Sequence, residues 1–137
     1  MMSGATYEHL SPQKTRILIV DDNPAAVGRL GLTLQAAGYA VSHTVDGLDG
    51  LIAVEDDQPA AIVLSWGLPC IDGAIFLHAL RIGLRRTSPV IVLLGPDDDV
   101  NAAWRAGATE IARKTTAPAE ILRLIRDAVA EPAVIPA

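Results

Sequence analysis

The sequence has 137 residues and a formal net charge of −5 at pH 7, which suits one domain of ordinary size and lacks the basic surplus of a nucleic-acid-binding surface. Half of the residues are hydrophobic and only 4% are aromatic, so the core must be aliphatic, and the single cysteine, Cys70, excludes an intrachain disulfide. Since there is neither a secretory signal nor an apolar run near the roughly 20 residues that cross a bilayer, we expect a cytoplasmic protein without membrane association.

Composition divides the chain into one domain and two flanking segments. Residues 1–15 are polar and mixed, and we expect a flexible N-terminal segment there. Residues 131–137 carry two prolines and are predicted to be a tail or the start of a linker. The predicted domain is therefore 16–130.

Within this domain, short apolar runs alternate with helical patterns. The runs predict five strands, at 16–20, 39–44, 61–64, 90–94 and 108–112. Residues that cap helices or suit a first turn precede each helical pattern, which predicts helices at 24–37, 46–54, 73–84, a short helix between Asp99 and Gly107, and 117–129. In the third helix, Ile75, Phe76, Ala79, Leu80 and either Ile82 or Gly83 are predicted to form the buried face.

This alternation predicts an α/β domain with a parallel sheet and helices on both faces. In such folds the functional site lies beyond the carboxyl ends of the strands. The residues predicted at those ends are Asp21, Asp22, Ser65, Leu94, Gly95, Arg113 and Lys114.

Two adjacent carboxylates, Asp21 and Asp22, follow the first buried strand. Like charges at short range are costly unless a cation compensates them. Mg²⁺ is one suitable cation, and Lys114 is another, through direct pairing with either aspartate. The alternative interpretation is that Asp22 or Asn23 only caps the first helix and Asp21 faces solvent.

Three segments, Ile17–Asp22, Leu68–Gly73 and Ala106–Ala108 followed by Lys114, together resemble the receiver domain of two-component response regulators. The resemblance runs from Arg16 to about Val129. It implies a five-stranded, doubly wound, flavodoxin-like sheet with strand order 2-1-3-4-5. It also implies an aspartate at the end of strand 3 that accepts a phosphoryl group from a histidine kinase, and an acid pair that helps to hold Mg²⁺. A hydroxyl on strand 4, a lysine after strand 5 and an aromatic switch residue on strand 5 complete the family's pattern.

By this resemblance the chain keeps Asp21, Asp22 and Lys114 but departs from the pattern elsewhere. Ser65 occupies the phosphoacceptor position, Leu94 the hydroxyl position and Ile111 the aromatic position. A serine hydroxyl cannot form an acyl phosphate, and its neutral oxygen weakens any Mg²⁺ site.

The resemblance with these departures implies a pseudo-receiver, a non-enzymatic module that binds proteins without phosphorylation. The expected partner is a histidine kinase, an output domain or another regulator, bound either through a helix 4–strand 5–helix 5 face that also suits a homodimer or through helix 1. Trp104 on helix 4 is a candidate contact on that face, and the alternative is that it packs across the groove between helix 4 and strand 5. Two alternatives remain open, namely phosphorylation at Asp21 or Asp22 and a small-molecule sensor that uses the vacated pocket.

Overall fold

The computed structural model describes residues 14–130 and forms a five-stranded parallel sheet with helices on both faces. The strands are β1 Arg16–Val20, β2 Ala40–Thr44, β3 Ala61–Ser65, β4 Val90–Leu94 and β5 Glu110–Arg113. Their order is β2-β1-β3-β4-β5, which confirms the predicted topology. The predicted N-terminal segment, apart from residues 14 and 15, and the predicted tail lie outside the described residues.

The helices are α1 Pro24–Ala36, α2 Gly47–Asp57, α3 Gly73–His78, α4 Val100–Ala106 and α5 Pro118–Ala130, and a π-helical turn, Ala79–Gly83, continues α3. Four of them begin after a side chain that accepts hydrogen bonds from free backbone N–H groups of the first turn. These caps are Asn23, Asp46, Asp72 and Asp99. Asn23 rather than Asp22 therefore caps α1.

The sheet separates two apolar layers, because its central strands are buried on both faces. One layer packs β1, β3 and β4 against α2, α3 and α4 around the fully buried Phe76. The other packs the opposite faces of these strands against α1 and α5, and includes Leu34, Leu93 and Ile125. Successive residues of a strand therefore belong to different layers. Side chains at neighbouring strand ends meet only when they point into the same layer.

The predicted buried face of the third helix is partly wrong. Phe76, Leu77 and Leu80 are fully buried, whereas Ile75 is 53% exposed and Ile82 is 63% exposed. The buried residues recur at the three-to-four-residue spacing of one helix stripe, and Ile75 lies off that stripe. Ile82 follows Ile75 by seven residues and therefore lies on the same exposed side of the helix. Gly83, the other predicted position, is exposed as well, in the π-helical turn where the Leu84 N–H donates to the Ala79 carbonyl.

Three predicted strands also differ in their bounds from the observed ones, and β2 begins at Ala40, one residue later than predicted. β5 begins at Glu110 and includes Arg113, two residues later than the apolar pattern indicated. β3 extends through Ser65, which places this residue within the sheet rather than in the loop after it.

Candidate functional site

The acid pair lies at the carboxyl end of β1, and its two members have different environments. Asp21 is only 6% exposed, and its Oδ1 accepts a hydrogen bond of 3.0 Å from the Asn23 N–H. Its carbonyl oxygen accepts a second bond, of 3.0 Å, from His43 Nε2 on the edge strand β2. Asp22 is exposed. The prediction that Asp21 faces solvent, made for the capping alternative, is therefore wrong.

A small pocket of about 190 Å³ opens at this edge of the sheet. Both aspartates line it together with Arg29 of α1, Leu93 of β4 and Lys114 after β5. It adjoins a larger pocket of about 370 Å³ between α1 and the start of α5, which Asp21, Arg29, Leu93 and Lys114 also line. The strand ends and α1 thus bring together two carboxylates and two cations beside Leu93.

Lys114 lies at this pocket, as predicted, but it does not pair with the acid pair. Its backbone N–H donates to the Leu94 carbonyl at 2.9 Å, which extends the β4–β5 ladder by one residue. Within residues 14–130, no ion pair joins Lys114 to Asp21 or Asp22. The expectation of direct pairing is therefore wrong, because the exposed lysine remains solvated and a surface pair with it gains little free energy.

Ser65 ends β3 but does not line the pocket. The strand register pairs Ser65 with Leu93 and Leu64 with Val20. Ser65 is fully buried, and its Oγ has no hydrogen-bond partner among the described residues. Ser65 thus stands at the end of its strand, but Leu93 lies beside it and forms the pocket wall.

The two other positions at which the chain departs from the family pattern belong to the α2–α4 layer. Leu94 is fully buried there, and Ile111 packs partly buried against the same cluster. Leu94 also lines a separate recess with Pro96, Arg113, Lys114 and Thr115. Both side chains are hydrocarbons, so neither can form a hydrogen bond or bind an ion.

The residues present do not fit a dedicated Mg²⁺ site. No group of three or more Asp, Glu, His or Cys side chains in the described range is placed to hold a metal ion. Asp21 Oδ1 is already engaged by a backbone N–H, and Ser65 Oγ is shielded from the pocket. Mg²⁺ demands near-ideal octahedral oxygen ligation, for which two carboxylates of this kind are a weak donor set.

Sequence reasoning missed two residues that shape this site. Leu93 was overlooked in favour of its neighbour Leu94, although the continuous apolar run of β4 contains no alternation from which to choose between them. Arg29 lies within α1, and only the approach of α1 to the sheet edge brings its side chain to the pocket.

Trp104, the predicted contact residue, lies on α4 and is 47% exposed. The outward side of α5, which packs on the other face of the sheet, is polar, and Arg123 there contacts both Glu120 and Asp127. Cys70 is exposed in the loop after β3. No helix in the described part of the chain is long and apolar enough to span a bilayer.

Comparison with known proteins identifies a family for most of the domain. Residues 17–126 match the model of the response regulator receiver domain. The regulator RpaA of Synechocystis, a DNA-binding dual master transcriptional regulator, is 35% identical over 114 residues, which cover 81% of this chain and 47% of that protein. The transcriptional regulatory protein PrrA of Mycobacterium bovis is 33% identical over 113 residues, covering 81% and 48%. The chain thus spans about half the length of the curated relatives it matches.

Solved structures show the same fold. A response regulator receiver domain protein (CheY-like) from Methanospirillum hungatei superimposes with a TM-score of 0.80 at 25% identity, covering 87% of this chain and 96% of that one. The receiver domain of the sensor histidine kinase PA1611 from Pseudomonas aeruginosa gives 0.78 at 26% identity, covering 87% and 100%. In that structure a magnesium ion is coordinated in the active-site cleft.

Proposed function

The chain belongs to the response-regulator receiver domain family, and we propose that it acts in two-component signalling as an interaction module that does not require phosphorylation. The observation that supports this most directly is the environment of Ser65. This residue stands where the family resemblance expects the phosphoacceptor aspartate, and it is fully buried beside Leu93. A phosphodonor in the pocket of Asp21, Asp22 and Lys114 does not reach its hydroxyl.

The chemistry of the site supports the same proposal. A serine hydroxyl forms a phosphate ester, which lacks the rapid hydrolysis of an acyl phosphate. The acid pair is left without a third carboxylate, and Mg²⁺ normally provides the charge neutralisation that phosphoryl transfer needs. Leu94 offers no hydrogen bond to a phosphoryl oxygen, and Ile111 has no polar tip with which to exchange between solvent and core.

The proposed partner is a signalling protein, either a histidine kinase, an output domain or another regulator. The curated relatives named above are transcriptional regulators about twice as long as the matched region. We therefore propose that residues 16–130 form the receiver-like unit and that 131–137 begin a connection to another unit. Homodimerisation through α4, β5 and α5 remains an expectation based on the resemblance.

Intact-protein mass spectrometry after incubation with Mg²⁺ and acetyl phosphate tests this function. The native protein is compared with Ser65→Asp, which restores the carboxylate, and with an Asp21→Asn/Asp22→Asn double variant. We expect no phosphoryl mass on the native protein. A phosphorylated Ser65→Asp would identify Ser65 alone as the block, whereas an unmodified Ser65→Asp that circular dichroism shows to be folded would show that further residues contribute to it.

Phosphorylation of the native protein would refute the proposal. Loss of that mass in the Asp21→Asn/Asp22→Asn variant would then assign acceptance to the acid pair, the principal alternative. A small molecule that copurifies with the native protein and is lost from the same double variant would instead indicate a sensor that uses the vacated pocket.

A further inference from the structure

Large apolar side chains are exposed unevenly over the surface. Five of the seven in the described range, each at least half exposed, belong to α2, α3 and the residues next to them, and we call these five the α2–α3 face: Val45, Leu48, Ile52, Ile75 and Ile82. The remaining two are Leu32 on α1, across the sheet, and Trp104 on α4. Grouped apolar exposure of this kind marks interaction sites, whereas isolated residues need no explanation.

A groove of about 440 Å³ separates α2 from α3 and its π-helical turn. Leu51 and Ile52 form one wall. The opposite wall contains two small residues, Ala79 and Gly83, followed by Leu84. A side chain added at Gly83 would meet no atom within 4 Å, so the groove is open above this position. The groove therefore has an apolar floor and room for side chains from another molecule.

Two carboxylates of α2, those of Glu55 and Asp56, line this groove, whereas Asp49 and Asp57 line a separate recess beside β2. α2 carries Asp49, Glu55, Asp56 and Asp57 and no basic residue. Glu55 pairs with Arg86 at 3.1 Å, whereas the three aspartates form no ion pair within the described part of the chain. Glu55, Asp56 and Asp57 lie in the last turn, where carboxylates oppose the negative end of the helix dipole. A cationic partner would relieve this unfavourable arrangement.

We propose that the α2–α3 face binds a basic amphipathic helix of a partner protein, an inference that rests on the proposed function as an interaction module. A helix that presents apolar residues at i, i+3, i+4 and i+7 fits a groove between two helices. Its flanking lysines and arginines would lie against the carboxylates of α2. A second copy of this chain fits less well, because a symmetric contact places the aspartates of α2 against their own copies.

The test uses the native chain and a synthetic peptide of about four helical turns, with Leu at the four anchor positions and Lys elsewhere. One control peptide carries Glu in place of Lys. A second control has the same composition as the test peptide, in an order that distributes Leu around the helix. Backbone amide NMR shifts map the binding site. We expect shifts along α2 and α3 with the first peptide, weaker binding at higher salt, and little effect from either control.

Matched variants locate the contact. Ile52→Ser/Ile82→Ser removes two exposed apolar side chains of the α2–α3 face, one on α2 and one on the π-helical turn. This variant is expected to weaken binding at least about tenfold. Leu32→Ser, a single change of the same kind at a 70% exposed side chain on the other side of the sheet, is expected to leave binding unchanged. Circular dichroism confirms that both variants are folded.

Three outcomes would overturn the proposed surface: shifts centred on Trp104, equal binding of the lysine and glutamate peptides, or self-association that Ile52→Ser/Ile82→Ser abolishes. Phosphorylation of the native protein would instead contradict the proposed function. Because the mass measurement and the NMR map are independent, failure of one proposal is distinguishable from failure of the other.

Discussion

Ser65 and Leu93 are register partners on adjacent parallel strands, yet only Leu93 lines the pocket of the acid pair. The serine hydroxyl is fully buried and has no hydrogen-bond partner among residues 14–130. Burial of an unsatisfied hydroxyl costs about 1–3 kcal/mol. The buried Ser65 therefore stands beside Leu93 at the position where the resemblance expects the phosphoacceptor aspartate.

The unsatisfied hydroxyl gives a first prediction. Ser65→Ala should leave the free energy of unfolding unchanged or raise it by up to about 1 kcal/mol, because the change removes a buried polar group without breaking a bond. Urea denaturation measures this. The control is Thr109→Val, since Thr109 Oγ1 accepts a bond of 2.9 Å from the Val90 N–H, and this variant should lose about 1 kcal/mol. Equal losses in both variants would show that Ser65 is hydrogen-bonded.

Restoring a carboxylate tests the metal site. Ser65→Asp places a charge in a buried position near Asp21 and should lower the free energy of unfolding by about 3–5 kcal/mol in EDTA. Millimolar Mg²⁺ should recover part of this loss, because the carboxylate oxygens of aspartate extend one bond further than the serine hydroxyl and can add a third donor beside Asp21 and Asp22. Thermal denaturation with and without Mg²⁺ provides the measurement. The native protein should respond little, and an equal Mg²⁺ response in both proteins would show that Asp21 and Asp22 suffice.

The order of the elements and their caps could be predicted from the sequence because both depend on local patterns. The apolar run of β4, for instance, is long enough for a buried strand and too short for a helix, and Asp72 precedes its helix with a capping side chain. The strand order came from the resemblance and not from periodicity.

Which side chain enters the site could not be predicted in the same way. A strand buried on both faces shows no alternation, so its sequence does not distinguish Leu93 from Leu94. The exposure of Ile75 and Ile82 depends on which side of their helix meets the sheet, and the position of Arg29 depends on how α1 approaches the sheet. These are tertiary effects that a local pattern does not record.

Gly73 permits the close packing of Trp66 at the start of α3. A Cβ at this position would lie 2.5 Å from Trp66 Cε3 and 3.0 Å from its Cα. Gly73→Ala should therefore destabilise the fold by about 1–3 kcal/mol and shift the Trp66 fluorescence, measured in a Trp104→Phe background. Gly28→Ala is the control, because a Cβ there meets nothing within 4 Å and should stabilise α1 by about 0.5–1 kcal/mol. Matching effects of the two substitutions would contradict this packing argument.

The exposed pair on α5 makes a prediction about pH. The hydrogen bond from Arg123 lowers the pKa of Glu120 from its ordinary value, and the nearby positive charge adds to this effect. NMR titration should show the pKa of Glu120 returning to its ordinary range in Arg123→Met. A lowered carboxylate pKa contributes stability above the pKa of the unfolded chain, and this is lost as the pH falls through the folded pKa. Because the pair is exposed, we expect Arg123→Met to have the same free energy of unfolding as the native protein, within error, at every pH. An unchanged pKa of Glu120 in this variant would contradict the pairing.

Arg81 lies in the π-helical turn that continues α3, and its side chain binds the loops before β4 and β5. Its guanidinium donates to the Gly107 carbonyl from Nε and Nη2, at 3.2 and 2.9 Å, and to the carbonyls of Arg86 and Ser88 from Nη1, at 3.0 and 2.8 Å. Partial burial lowers the pKa of this guanidinium, which nevertheless stays protonated at neutral pH because an arginine starts so high.

Arg81→Met should therefore lower the free energy of unfolding by about 2–3 kcal/mol, since three carbonyl groups lose a charged donor. Arg81→Lys should recover little, because one ammonium group cannot span the carbonyls that the planar guanidinium reaches. Arg126→Met, a change at an exposed arginine on α5, is the control and should remain within about 0.5 kcal/mol of the native protein. Full rescue by lysine would show that charge alone, and not the geometry of the guanidinium, holds these loops.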